Sequence, residues 1–213
     1  FYHQRILWVL FLIMQEAIAF LVEKDAVFKA LHVQYGNPLV PTRPEGFQTL
    51  VKLILEQQVS LESARACYVK IENALGEVTP QLILSASDEV LRACGVSRQK
   101  SSYLKALAEA ILNKELVLET LSEKHPDDVR NELIQVKGIG HWTIDVYLMF
   151  CLQSPDIFPI GDIALVNTLK ELYGCNDKAE MLSLAENWRP YRSMATYFLW
   201  HHYLQKRNRK FIY

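Results

Sequence analysis

Apolar residues recur along this chain at helical spacing, and the strict alternation of a half-buried strand is nearly absent. One helix is predicted from about Met14 to Glu23 and a second from about Asp25 to Tyr35. Pro38, Pro41 and Pro44 then fall within seven positions, beside Gly36, which forbids a helix and reads as a linker. Helices resume at Gly46, where Phe47, Leu50, Val51, Ile54 and Leu55 trace one apolar face. Ser60 is placed to cap the next helix, which should end near Gly76. Thr79-Pro80 is a cap followed by proline at the first helical position. Ser87-Asp88-Glu89 opens a short helix that Gly95 closes. Ser97 caps a long one with Tyr103, Leu104, Leu107, Ala108 and Ile111 turned inward, and a further helix spans about Asp127 to Gln135. The fold class this predicts is all-α, built from many short helices.

Composition adds little to that picture. Half of the 213 residues are apolar, enough for a substantial core, and 22% are charged. A formal net charge of −1 argues against a protein that coats nucleic acid indiscriminately, because phosphate neutralisation needs Lys and Arg. It leaves room for a local grip through backbone amides. Cys67, Cys94, Cys151 and Cys175 are spaced by 27, 57 and 24 residues, which suits neither a zinc site nor an iron–sulfur loop. They read as reduced thiols. Arg5, the apolar run Ile6 to Met14 and Ala17-Ile18-Ala19 resemble a secretory leader on paper. The apolar pattern continues past that point through Phe20, Leu21 and Val22, and this favours a helix entering a core. The run is also short for a membrane span, so no membrane association is expected.

The chemistry concentrates in two segments. In Leu133-Ile134-Gln135-Val136-Lys137-Gly138-Ile139-Gly140-His141-Trp142-Thr143-Ile144-Asp145, a helix runs into Gly-x-Gly and a new helix starts at once. Glycines permit a tight bend and a close approach to another molecule, and free amides at a helix start suit a phosphate oxygen. Val136 and Ile139 should pin the turn to the core. The turn alone is equally compatible with a tight corner that binds nothing, and dinucleotide binding is disfavoured because no strand precedes it. Downstream lies Pro159-Ile160-Gly161-Asp162, with Asp162 where a helix begins. Asp162 is either a plain N-cap or a carboxylate held for catalysis. His201-His202 point about 100° apart on a helix and read as packing rather than metal ligands. The basic run Lys206 to Lys210 either touches phosphates or is a solvated helix end, and Asp127-Asp128 reads as a helix start.

Four motifs in order carry a resemblance. Ile54-Leu55-Glu56-Gln57-Gln58-Val59-Ser60, Gly95-Val96-Ser97-Arg98-Gln99-Lys100 with Tyr103, the hairpin Val136 to Asp145, and Trp188-Arg189-Pro190-Tyr191-Arg192-Ser193 with Trp200 together resemble the helix-hairpin-helix DNA glycosylase superfamily, in its 3-methyladenine DNA glycosylase II branch. The resemblance implies two helical lobes, residues 45–156 as the central bundle and residues 1–44 with 157–213 as the other, and an active-site cleft between them. It implies Asp162 as the catalytic carboxylate, and Trp142, Trp200 and Tyr147 as base-pocket residues. Gln58, Val136, Gly138, Gly140, His141 and Thr143 would bind DNA. Gln58 matches the wedge position that fills the gap left by a flipped base, with Leu61 as the other candidate. Trp142 stands where strand-cutting members carry a nucleophilic lysine, which points to a monofunctional enzyme. Val146 departs from the aromatic residue of some members and leaves the substrate range open.

The expected substrate is duplex DNA carrying alkylated purines such as 3-methyladenine or 7-methylguanine. No organic cofactor is expected. Family hairpins often hold a monovalent cation on backbone carbonyls, here around Gly138. A monomer is expected, cytoplasmic in a bacterium or nuclear in a eukaryote. The alternative is a non-catalytic helix-hairpin-helix protein that binds distorted DNA, in which Asp162 would have no special part.

Overall fold

A computed structural model describes the backbone of residues 2–209 and the side chains of residues 12–209. Its helices are α1 (Tyr2–Lys24), α2 (Ala26–Tyr35), α3 (Phe47–Glu56), α4 (Leu61–Leu75), α5 (Pro80–Ser85), α6 (Asp88–Ala93), α7 (Arg98–Leu112), α8 (Pro126–Leu133), α9 (His141–Phe150), α10 (Ile163–Tyr173), α11 (Lys178–Glu186) and α12 (Arg192–Lys206), with a 3-10 helix at Leu118–Glu123. Among the described residues there is no strand. No helix among them is long and apolar enough to cross a membrane.

The punctuation read from the sequence sets most helix starts. The side chains of Ser60, Thr79, Ser87 and Ser97 each accept a hydrogen bond from the amide three residues on. Each such cap stabilises its helix by roughly 1 kcal/mol. Two starts differ from expectation. α1 begins at Tyr2 rather than near Met14, because the apolar run and the segment after it are one continuous helix. The side chains of that run before Leu12 lie outside the described residues, as does Lys210 of the basic run. α8 starts at Pro126, whose fixed φ suits the first helical position, with His125 as its cap, and it ends at Leu133. The 3-10 helix was not expected; buried Leu116, Leu118 and Leu121 anchor it.

The chain divides into two compact units. Among the described residues, one combines residues 2–41 with residues 153–209, and the other is Thr42–Leu152. In the second unit α3 packs on α4, α7 and α9, and α5 on α7. α3 buries seven of its ten residues, Thr49 and Leu53 included, so it is a central helix rather than one with a single apolar face. In α9 every residue from Thr143 to Phe150 is buried. In the first unit α12 packs on α10, α2 and α1. Asp25 is a polar hub there. Its Oδ1 accepts from the Val27 amide at 2.9 Å and caps α2, and its Oδ2 accepts from Tyr173 Oη at 2.9 Å and Trp188 Nε1 at 3.1 Å. Burial first, then the Asp25 charge, pushes the Tyr173 phenol well above its ordinary range, so it stays a donor.

Candidate active site

The hairpin joins α8 to α9 in the second unit. Val136 and Ile139 are buried, and Lys137, Gly140 and His141 face solvent. Ile139 N–H donates to Val136 O at 3.0 Å, which closes the turn. Gly138 has φ +91°, and a Cβ at this position would run into the Tyr103 ring of α7. Both facts require glycine. α9 then starts at Gly140 without any side-chain cap, so its leading amides, those of His141 and Thr143 among them, are not taken by a capping group. Arg130 of α8 clamps the second helix through Asp145, with Nη2 to Oδ1 at 2.7 Å. Burial raises the Asp145 carboxyl above its ordinary range, and Arg130 pulls the other way.

The turn between α3 and α4 lies beside this hairpin. Gln58 is exposed and left-handed, with φ +58°. Its neighbour Gln57 turns inward, and Nε2 donates to Gly138 O at 2.9 Å and to Thr143 Oγ1 at 3.1 Å. Lys100 Nζ donates to Leu55 O at 2.6 Å and holds the end of α3.

Asp162 belongs to the first unit and caps α10. Its Oδ1 accepts from the Leu165 amide at 2.9 Å and from Trp200 Nε1 of α12 at 3.0 Å. The approach to Asp162 is a short irregular segment, and the Trp188 to Ser193 motif ties it down. Arg192 binds Asp156 through Nε at 2.8 Å and Nη2 at 3.0 Å, and Arg189 Nη1 reaches the same carboxylate at 2.6 Å. Ser193 Oγ donates to Ser154 O at 2.6 Å and accepts from the Ile157 amide at 3.0 Å. Asp162 N–H closes a turn onto Pro159 O at 2.8 Å. The chain thus presents a carboxylate fixed at a helix start, and a glycine hairpin that ends in open amides.

Residues 51–193 match the model of the HhH-GPD superfamily of base excision DNA repair proteins. The chain belongs to this superfamily. It is 35% identical over 186 residues to the alkylbase DNA glycosidase-like protein mag2 of Schizosaccharomyces pombe, covering 83% of this chain and 87% of mag2. It is 31% identical over 176 residues to YfjP of Bacillus subtilis, covering 78% of this chain but only 61% of YfjP. The structure of S. pombe 3-methyladenine DNA glycosylase Mag1 in complex with abasic DNA superposes with a TM-score of 0.79 at 28% identity, covering 87% of this chain and 95% of Mag1.

Within this HhH-GPD chain the expected site residues separate into several groups. Gly138, Gly140 and His141 shape the hairpin and the start of α9, and Trp142 beside them is partly exposed. Trp200 is 6% exposed and donates its indole N–H to Asp162. Tyr147 is a correction: it is 0% exposed, its hydroxyl accepts from the Gly46 amide at 3.1 Å, and burial pushes it up to about 12. A wholly enclosed ring presents no face to a base, and Tyr147 ties the start of α3 to α9 instead. Val146 is buried as well. The side chains of Val136 and Thr143 are both buried, as the core contact expected of Val136 requires, so only the backbone of either could face DNA. The Val136 amide donates to Leu133 O at 3.1 Å, and the Thr143 hydroxyl serves Gln57. The Gly138 carbonyl already accepts from Gln57, so a cation there would share that oxygen.

Leu61 opens α4 and lines a cavity of about 380 Å³ together with Lys52, Arg65 and Tyr68. It therefore sits to the side of the turn that Gln58 tips. His202 Nε2 lies 3.1 Å from Glu171 Oε1, an ordinary polar contact between α12 and α10. Gln57, Lys100, Asp156 and Arg192 were not anticipated as supports. Each lay inside or beside a motif, yet no local spacing says that Gln57 reaches a hairpin 81 residues away.

Proposed function

We propose that this chain is a monofunctional DNA glycosylase that excises alkylated purines from duplex DNA and leaves an abasic site. The observation that carries the reading is the Asp162 carboxylate, held at the start of α10 by the Leu165 amide and the Trp200 indole. A plain cap needs only the first of these. The second fixes the direction of the carboxylate, which matters when a charge must be met at one place. The open amides at the start of α9 suit a DNA phosphate, and the exposed, left-handed Gln58 suits insertion where a base has left the stack.

The chemistry follows from the substrate. An N-alkylated purine carries positive charge, so its glycosidic bond is already weak and an indole face such as that of Trp142 attracts it. When the bond to C1′ breaks, its electron pair leaves with the base, which departs neutral. Positive charge develops on the sugar, and the Asp162 carboxylate stabilises it. Water adds to C1′, its proton passes to the carboxylate or to solvent, and an abasic site remains. Trp142 cannot form a Schiff base, which supports base release without strand cleavage. Relatives that carry alkylbase glycosidase or 3-methyladenine glycosylase names support the substrate class.

The test is chromatography of bases released from methylated duplex DNA, with Asp162→Asn alongside. Release by the wild type alone, without nicking before heat or base treatment, is expected. Binding without release by either protein would move the reading to a non-catalytic damage binder.

A further inference from the structure

The turn that carries Gln58 and the hairpin are separate in sequence, yet a single side chain joins them. Gln57 leaves the end of α3 and its Nε2 donates both protons, one to Gly138 O at 2.9 Å and one to Thr143 Oγ1 at 3.1 Å. Both acceptors are rigid. Gly138 is fixed against Tyr103 in a conformation that only glycine adopts readily, and Thr143 is 1% exposed in the first turn of α9. The α3 end is rigid too, because Lys100 reaches from α7 to Leu55 O at 2.6 Å. The next residue, Gln58, stands exposed at φ +58° in the third position of a type II turn, where glycine is the usual occupant. A side-chain-bearing residue keeps that conformation only where its surroundings over-determine it. Its own side chain has no hydrogen-bond partner among the described residues; the turn is closed only by a long Val59 N–H to Glu56 O bond of 3.4 Å, and Gln57 and Lys100 hold the residues that lead into it.

From this geometry we infer that Gln57 is a positioning residue, a latch that sets the Gln58 turn against the hairpin so that one side chain holds both DNA-facing features in register. The inference deepens the proposed glycosylase reading and rests on it for its catalytic consequence. The latch itself does not depend on that reading. With the latch intact, the rigid hairpin that presents the α9 amides to a phosphate also holds, through Gln57, the turn that probes the base stack. Without it the hairpin still has its amides, but Gln58 is free to leave the left-handed region. Backbone binding should survive while base extrusion suffers.

Gln57→Met keeps the length and removes both donors. Thr143→Val removes one acceptor at constant shape, and Thr143→Ser retains it. Hydrogen–deuterium exchange reads the latch directly. Gln57→Met should raise exchange about tenfold in residues 57–61 and in the hairpin, as loss of two modest hydrogen bonds implies, and leave α10 and α12 unchanged. Thr143→Val should show a smaller rise at the same places and Thr143→Ser almost none. Unchanged exchange in the turn, or equal loosening throughout residues 42–152, overturns the latch.

The second arm is single-turnover excision at saturating protein. Gln57→Met should slow release of a normally paired lesion about tenfold, and release of a lesion in a bulge, where extrusion is easy, by less than about twofold. Affinity for undamaged duplex should hold. Equal slowing on both substrates marks a general folding defect and overturns the positioning role. If the wild type releases no base from any substrate, the glycosylase reading falls, and exchange alone decides the latch.

Discussion

Trp200 donates its indole N–H to Asp162 Oδ1 at 3.0 Å, on the same oxygen that caps α10 through Leu165 at 2.9 Å. The capping and catalytic interpretations of Asp162 are therefore compatible. The cap holds the carboxylate at the helix start, and the indole selects its direction. This separates two substitutions. Asp162→Asn keeps an oxygen for the cap and should fold with a melting temperature close to wild type, while excision falls about a thousandfold. Trp200→Phe keeps an aromatic ring but loses the donor. Excision should fall roughly tenfold at saturating substrate with little change in KM, since orientation and not binding is lost. Steady-state kinetics on one lesion duplex with both variants checks this. A Trp200→Phe effect confined to KM would point instead to a ring that only stacks.

Gly138 tests why the hairpin has its sequence. Two separate penalties meet any side chain there, the φ of +91° and the Tyr103 ring. Gly138→Ala should cost about 3 kcal/mol or more in urea unfolding. In a Tyr103→Gly background, which removes the Tyr103 Cβ as well as the ring, the collision disappears and the backbone penalty of roughly 1–2 kcal/mol remains. A cycle of the four proteins yields the coupling between the two positions, and zero coupling would mean that the ring moves aside without cost.

Much of the fold was legible because helix starts are written locally. A cap and the amide it serves are three residues apart, so Ser60, Thr79, Ser87 and Ser97 could be read directly. The hairpin was legible for the same reason, with Val136 and Ile139 buried on either side of Lys137 and Gly138. What the sequence hid was direction and distance. Tyr147 follows Val146 in a helix that is buried on all sides from Thr143 to Phe150, so periodicity could not say which face looks outward. Gln57 and Gln58 are identical neighbours with opposite fates, because the left-handed turn between α3 and α4 sends one inward and the other to solvent. The Trp188 to Ser193 motif was visible as a pattern, but its purpose required knowing that Arg192 and Ser193 reach back to residues 154–157.

Asp25 gives a prediction for the first unit. It caps α2 and accepts from both Tyr173 and Trp188. Asp25→Ala removes the cap and leaves the half-buried Tyr173 hydroxyl and the buried Trp188 indole without an acceptor. Chemical denaturation should show a loss of about 3–5 kcal/mol. Asp25→Asn keeps one acceptor oxygen and should lose markedly less. Equal losses would mean that the charge, rather than the acceptor geometry, holds the cluster.

The Arg130–Asp145 pair makes stability depend on pH with a definite sign. Burial raises the Asp145 carboxyl in the folded protein, and Arg130 offsets part of that rise. A carboxyl raised on folding binds its proton more tightly in the folded state. Its contribution is therefore most favourable at low pH and declines as pH climbs from the unfolded value through the folded one. Arg130→Met removes the offset, so the folded value climbs further and the decline extends to higher pH. At pH 7 the variant should be less stable than wild type by about 3 kcal/mol, the cost of leaving a buried charge alone. Near pH 4 most of that difference should vanish, because a neutral acid needs no counter-charge. Arg130→Met combined with Asp145→Asn should recover much of the loss at pH 7 and show a flatter profile. Thermal melts of the three proteins between pH 4 and pH 8 decide the matter, and a gap between Arg130→Met and wild type that stays constant across that range would show that Arg130 acts through packing rather than through its charge.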